Sequence, residues 1–400
     1  MSEAEQIYFN PWDEAFRANP YPHYLPLYGR PPHQLEFFFP MVLVGCYDDA
    51  AAILRDHERF SSVPPQSPFM QERIAVFGDA PRLVFSDPPV HTRLRRLVSR
   101  AFTPKRIREL EPRIREFTNL LLDRAAAKGE LDVMADLANP LPVMVIAEML
   151  GVPHEDYAQF KHWSDAVIES DNTLPGTPLP DSVKNAFGAL REYFIAEIER
   201  RRRNPGEDLI SALVAARDEA EALSEEELIA FVIILLLAGN ETTTNLIGNG
   251  MLALGHNPDQ LEELRHDRAL IGPAIEETLR FDCPVQSTVR YPKIDLEVGG
   301  TAISAKTPTF VIVAAANRDP AHFPHPDKFD IHRNPRDHLA FGEGIHFCIG
   351  APLARMEGAL AIGAALERFP RLRLRDPDDP PKYKGSYFLR GLAGLHMLFA

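Results

Sequence analysis

The chain has 400 residues, 45% of them hydrophobic, enough for a large buried core, and its formal charge of −14 argues against a nucleic-acid binder held by phosphate contacts. The acidic opening "MSEAEQIYFNPWDEAF" lacks the apolar centre of a signal peptide. The longest strongly apolar run, "LIAFVIILLLAG", is about a dozen residues, short of the roughly 20 that cross a bilayer. These features predict a soluble, cytoplasmic protein with no membrane anchor.

In chain order, the first third mixes short strand-like pieces such as "MVLVGCY" with helical ones. From about Asp87 to Glu277 the pattern is helical, with prolines as punctuation. It opens on "DPPVHTRLRRLVSRAFTP", where His91 and Arg95 lie one turn apart and can reach the same anion. Arg93, Arg96, Arg100, Lys105, Arg106 and Arg108 make the same segment basic on an acidic protein. Such a cluster is either a solvated helix face or a docking surface for an acidic partner.

One helix dominates. "LSEEELIAFVIILLLAGNETTTNLIGNGMLALGHNP" begins with Ser224 and Glu227 in capping-box spacing and ends near Gly255, before Pro258. Its length of about 31 residues gives roughly 46 Å, enough to cross a whole domain. Its middle is apolar on nearly every side, so it should be buried. Next, "EETLR" places Glu277 and Arg280 three apart on one helix face, able to pair. A β-rich insert, a Pro- and His-rich coil and the loop "FGEGIHFCIG" follow, then a helix and a hairpin-like end. No linker or repeat divides the chain, so residues 1–400 read as one domain.

The cysteines Cys46, Cys283 and Cys348 are odd in number and far apart, so no disulfide framework is visible. Cys46 and Cys283 read as small buried apolar side chains. Cys348 differs, because it lies among glycines at the mouth of a helix, where free N–H groups and the dipole favour a thiolate. A nucleophile would need a nearby base and solvent access. The flanking Phe341, Phe347 and Ile349 instead suit a shielded sulfur that ligates haem iron.

The run "FGEGIHFCIGAPLAR" resembles the haem-binding loop of the cytochrome P450 family, and the resemblance extends from "NPYPHYLPLYG" to "LRGLAGLHM". It implies a mainly α fold with small β-sheets: the family's prism-shaped bundle with a long central helix over the haem. By the same resemblance Cys348 is the ligand of a non-covalent haem b, and His91, Arg95, Arg290 and His346 hold its propionates. Phe341, Gly342 and Ala238 would lie against it. Glu277, Arg280 and Arg333 resemble the family's structural triad. "AGNETTT" resembles its oxygen-binding segment, with Glu241 and Thr242 as the acid–alcohol pair for proton delivery. Expected pocket residues are Leu83, Val84, Phe85, Ile234, Leu237, Ala238, Val285, Gln286 and Phe388.

The implied activity is a bacterial-type monooxygenase that uses dioxygen on a lipophilic small molecule such as a terpenoid, steroid, fatty acid or macrolide. Electrons would come from a ferredoxin-type donor and its NAD(P)H-dependent reductase. A peroxygenase of the same fold would not need the Glu241–Thr242 pair. A haem-based binding or sensing protein would need neither that pair nor the basic face.

Overall fold

The computed structural model describes residues 7–65, 80–168, 177–218, 221–384 and 388–399. Seven helices and two sheets position the site. The helices are α1 (Val90–Ala101), α2 (Glu111–Ala126), α3 (Pro140–Leu150), α4 (Asp181–Arg203), α5 (Glu225–His256), α6 (Ile271–Phe281) and α7 (Ala351–Arg368).

The larger sheet contains β1 (His33–Glu36), β2 (Pro40–Val44), β3 (Phe60–Ser61), β4 (Thr288–Pro292) and β5 (Thr309–Val311), in the order β1-β2-β5-β4-β3. Only the β5–β2 pairing is parallel. Thr309 stands opposite Arg290, which fixes the position of that arginine on a central strand. The second sheet is small and joins the chain end, His396–Leu398, to Arg373–Leu374 and Leu131–Asp132.

α5 forms as its sequence dictates. The Ser224 hydroxyl accepts from the Glu227 N–H, and the Glu227 carboxylate accepts from the Ser224 N–H. These reciprocal bonds satisfy donors that a bare helix start leaves unpaired. Beyond the first turn nearly every side chain is buried, because α3, α6 and α7 pack around it. By length and composition, both α5 and the segment Val133–Leu150 could cross a membrane. Counting uninterrupted apolar runs missed this, since polar residues break each stretch. Both lie mostly inside the fold, with 67% of Val133–Leu150 and 72% of the α5 window buried, as core helices do.

Among the described residues, most buried apolar side chains form two clusters. One is helical and centred on α5; the other joins the N-terminal segment to the larger sheet. Cys283 is buried in the second, as expected of a small apolar side chain, whereas Cys46 is half-buried and meets the carbonyl of Leu27.

Candidate active site

A cavity of about 380 Å³ lies where the two clusters meet, with Leu54 and Val313 on one side and Val98, Ile146 and Phe231 on the other. That volume falls within the range of small-molecule pockets. Cys348 borders it from the loop that precedes α7.

The loop is shaped by its glycines. Gly344 has φ +69°, and a Cβ there would lie 2.9 Å from the Leu54 carbonyl oxygen, so a side chain is excluded twice over. The turn lets the Cys348 N–H donate to the Phe341 carbonyl at 2.9 Å. Burial pushes the Cys348 thiol up; the N–H groups of Gly350 and Ala351 and the Arg95 charge act in the opposite direction. The residue is half-buried and borders the cavity, and its neighbour Phe347 is exposed.

His91, Arg95, Arg290 and His346 all border the same cavity. The rings of His91 and His346 are 4.3 Å apart. His346 Nε2 meets Ser62 Oγ at 3.0 Å, and Arg290 donates to the Val289 carbonyl at 3.0 Å and to Thr288 Oγ1 at 3.3 Å. Burial draws the Arg290 guanidinium down to about 10. Burial, with Arg290 and His91 beside it, holds His346 down at about 3.

Among the described residues neither Arg95 nor Arg290 has a carboxylate partner, and His91 Nε2 is buried with no hydrogen bond. Asp87, the acid that acts on this group, is committed to Lys293 at 3.3 Å and to the Ser62 N–H. Two sequestered guanidiniums without a counter-ion are costly, so the group is built for an anion that enters with a ligand. A flat ligand carrying carboxylates, with a metal centre for a thiolate, fits these donors. Haem meets that description.

On α5, residues Phe231, Ile234, Leu235, Ala238, Gly239, Thr242, Thr243 and Leu246 face the cavity. The Thr242 hydroxyl donates back to the Ala238 carbonyl at 2.6 Å, a bond that helical threonines make at some cost to straightness. Glu241 does not border the cavity. Its buried carboxylate pairs with Lys384 at 3.1 Å, while Asn240 donates to Ser164 Oγ at 2.8 Å.

Of the expected pocket residues, Leu83, Val84, Ile234, Ala238 and Val285 border the cavity. Four others lie off it. Leu237 falls outside the arc of α5 that contains Ile234 and Ala238, and packs on the helical cluster. Phe85 is 45% exposed under the Arg82 guanidinium. Gln286 turns back to donate to the Cys283 carbonyl, and Phe388 packs on the N-terminal cluster.

Arg280 makes two 2.8 Å bonds to Glu277, both side chains fully buried, and Arg333 reaches the same carboxylate at 3.3 Å. Two further acids escaped sequence reading. Glu276 takes two bonds from Arg355 of α7, at 2.6 and 2.8 Å, and one from His338 at 3.2 Å. Glu357 is buried beside the cavity, with Oε2 unpartnered and burial pushing its carboxyl well above the usual range. The only signal for it was a lone acid in the small-residue run "MEGALAIGAAL".

A family model described as Cytochrome P450 matches residues 38–395. Among curated proteins, the Cytochrome P450 monooxygenase PikC of Streptomyces venezuelae is 43% identical over 390 residues, 95% of this chain and 91% of that protein. The Vitamin D(3) 25-hydroxylase of Pseudonocardia autotrophica is 45% identical over 316 residues, 78% of this chain and 76% of its own. The solved structure of cytochrome P450 PksS, of the Bacillus subtilis bacillaene polyketide synthase, superposes with a TM-score of 0.90 at 35% identity, covering 98% of this chain and 100% of that one. With the cysteine loop, the long helix and the cavity between them, these matches establish that the chain belongs to the cytochrome P450 family and is a haem-dependent monooxygenase.

Proposed function

We propose that the cavity holds haem b, bound non-covalently, with Cys348 as the thiolate ligand of iron and His91, Arg95, Arg290 and His346 holding the propionates. One observation carries the reading: a single apolar cavity is bordered by the Cys348 loop, by the Ala238–Thr242 stretch of α5 and by two guanidiniums without counter-ions. Haem bound there supplies oxygen activation, in which two electrons and two protons reduce dioxygen so that one atom leaves as water and the other enters a C–H bond.

The chain's own residues supply the rest. The backbone from Phe341 to Gly342 and the small side chain of Ala238 let a flat ligand lie close. Leu83, Val84, Ile234, Val285 and Phe231 offer an apolar surface that excludes water and holds a lipophilic substrate by burial. Relatives named for vitamin D(3) and for a polyketide support a substrate of steroid or macrolide size. Thr242 holds a proton at the cavity face and Glu241 carries protons to it. Electrons arrive from a ferredoxin-type donor with its NAD(P)H-dependent reductase, docked on the exposed part of the basic cluster. Residues 1–400 act as one cytoplasmic unit.

The test is spectroscopic. Reduced protein under carbon monoxide should show the strongly red-shifted Soret band of thiolate ligation, and Cys348→Ala should lose it. A variant that keeps the band refutes Cys348 as the ligand.

A further inference from the structure

The wall of the cavity that contains Pro284, Val285 and Thr288 is held from behind. It begins just after α6 ends at Phe281. Successive side chains of this extended stretch point to opposite sides, so Val285 borders the cavity while Gln286 turns back to the Cys283 carbonyl. The backbone pairs with residues 388–390 near the chain end. The Gln286 N–H donates to the Phe388 carbonyl and the Arg390 N–H to the Pro284 carbonyl, both at 2.8 Å, with Val285 opposite Leu389. A shift of residues 388–390 therefore takes Val285 with it.

The Arg390 side chain fixes those residues. It is 7% exposed, and its Nε donates to Asp282 Oδ1 at 2.7 Å, two residues before the wall starts. Its other nitrogens donate to the carbonyls of Arg17 and Ala18 in the N-terminal segment, the latter at 3.3 Å. From the same segment the Tyr21 hydroxyl donates to Asp282 Oδ1 at 2.5 Å. The Tyr21 ring lies 3.5 Å from the Arg318 guanidinium, which donates to the Phe281 carbonyl at 2.7 Å. From α5, the Asn249 amide donates to the carbonyls of Asp282 and Arg390 at 3.0 and 3.1 Å. Four parts of the chain thus meet behind one wall of the cavity. A buried charge pair often stabilises no more than apolar side chains of the same volume. What it adds is direction, because a guanidinium fork fixes angle as well as distance, whereas apolar contacts are non-directional.

We propose that Arg390, Asp282 and Tyr21 are positioning residues for substrate: together they set where Val285 stands, and so how closely a bulky lipophilic molecule fits in the cavity, without touching that molecule. The inference rests on the reading of the cavity as the site of haem and substrate. It makes the N-terminal segment, remote from Cys348 in sequence, a determinant of fit.

The experiment uses haem-loaded enzyme and two azoles that ligate haem iron through nitrogen, read by the shift of the Soret band. Imidazole is small and reports access to iron alone, while phenylimidazole also presses its ring on the cavity wall. Tyr21→Phe removes one hydroxyl and keeps the ring beside Arg318, so the chain still folds. It should raise the Kd of phenylimidazole about fivefold, the order of one lost bond to a charged group, and leave that of imidazole unchanged. Arg390→Lys, which keeps the charge but loses the fork, should show the same selective loss. In the Val285→Ala background Tyr21→Phe should have no further effect, since the side chain it positions is gone. A merely structural bond would lower the thermal midpoint and leave both Kd values as in wild type, or raise both together; either result overturns the proposal. So does an undiminished effect of Tyr21→Phe in the Val285→Ala background. If wild type itself shows no azole-dependent Soret shift, the haem reading falls and this one with it.

Discussion

The Thr242 hydroxyl donates to the Ala238 carbonyl and borders the cavity, so one side chain serves helix geometry and site at once. Its substitution should therefore separate binding from chemistry. Thr242→Ala should still bind haem and substrate and still consume NADPH, because the apolar lining and the proposed propionate-binding residues are intact. Product per NADPH should fall severalfold and hydrogen peroxide should rise, because the proton held at the cavity face is lost. Unchanged coupling at saturating substrate would place that proton on another group. Local spacing singled out His91 one turn before Arg95 and Cys348 before a helix start, whereas Glu241 and Thr242 were marked only by the resemblance of their segment to the family's. What spacing could not give is which way each points. Adjacent in sequence, Glu241 and Thr242 face different surroundings, since neighbours on a helix are about 100° apart. Lys384, the cation that settles the orientation of Glu241, is 143 residues away.

Between elements, the Glu276 carboxylate joins α6 to α7 and to the coil before the cysteine loop through Arg355 and His338. Burial pushes its pKa up, yet the bonds from His338 and Arg355 and the Arg355 charge outweigh that and hold it at about 2. A depressed carboxylate contributes stability that is present above its unfolded value and lost as pH falls through the folded one. Glu276→Gln should thus destabilise the enzyme by about 2–3 kcal/mol at pH 7, the order set by a shift of this size. In denaturant titrations the gap from wild type should close as pH drops from about 4.5 toward 2. A gap independent of pH would assign the loss to packing instead. The buried Glu277–Arg280 pair bounds the scale: removing one partner of such a pair costs about 3–5 kcal/mol. The reading of "EETLR" found Glu277 because its partner is three residues on. It missed Glu276 because Arg355 and His338 lie 79 and 62 residues away. The helices themselves were readable from their caps and periodicity, and α5 matches its expected bounds within a residue or two.

At the scale of the molecule, a protein of net charge −14 carries a basic segment across α1 and the short helix Pro104–Glu109 that follows it. The structure divides that segment. Arg93 is spent on Glu227 at the start of α5, Arg95 enters the cavity, and Arg106 donates to the Glu207 carbonyl. Arg96, Arg100 and Arg108 are exposed, as is Lys105, which lies 3.7 Å from Glu109, and α1 thus joins the cavity to an outward cationic face. Local positive charge on an acidic surface steers an acidic partner to one place while the remainder repels it, and this acts on association rate more than on the bound complex. Charge reversal at Arg96 and Arg100 should therefore slow reduction by ferredoxin at low salt. The defect should fade as ionic strength rises, since at 0.1 M charges about 10 Å apart are already largely screened. Reduction by dithionite, a small reagent with no docking requirement, should proceed as in wild type, and so should the spectrum of the carbon monoxide complex. Equal ferredoxin rates for wild type and the reversed variant at low salt would make this face a solvated helix surface and move the docking site elsewhere. Arg95 has no place in that comparison, because its loss would disturb the cavity's cationic group and the proposed docking face together.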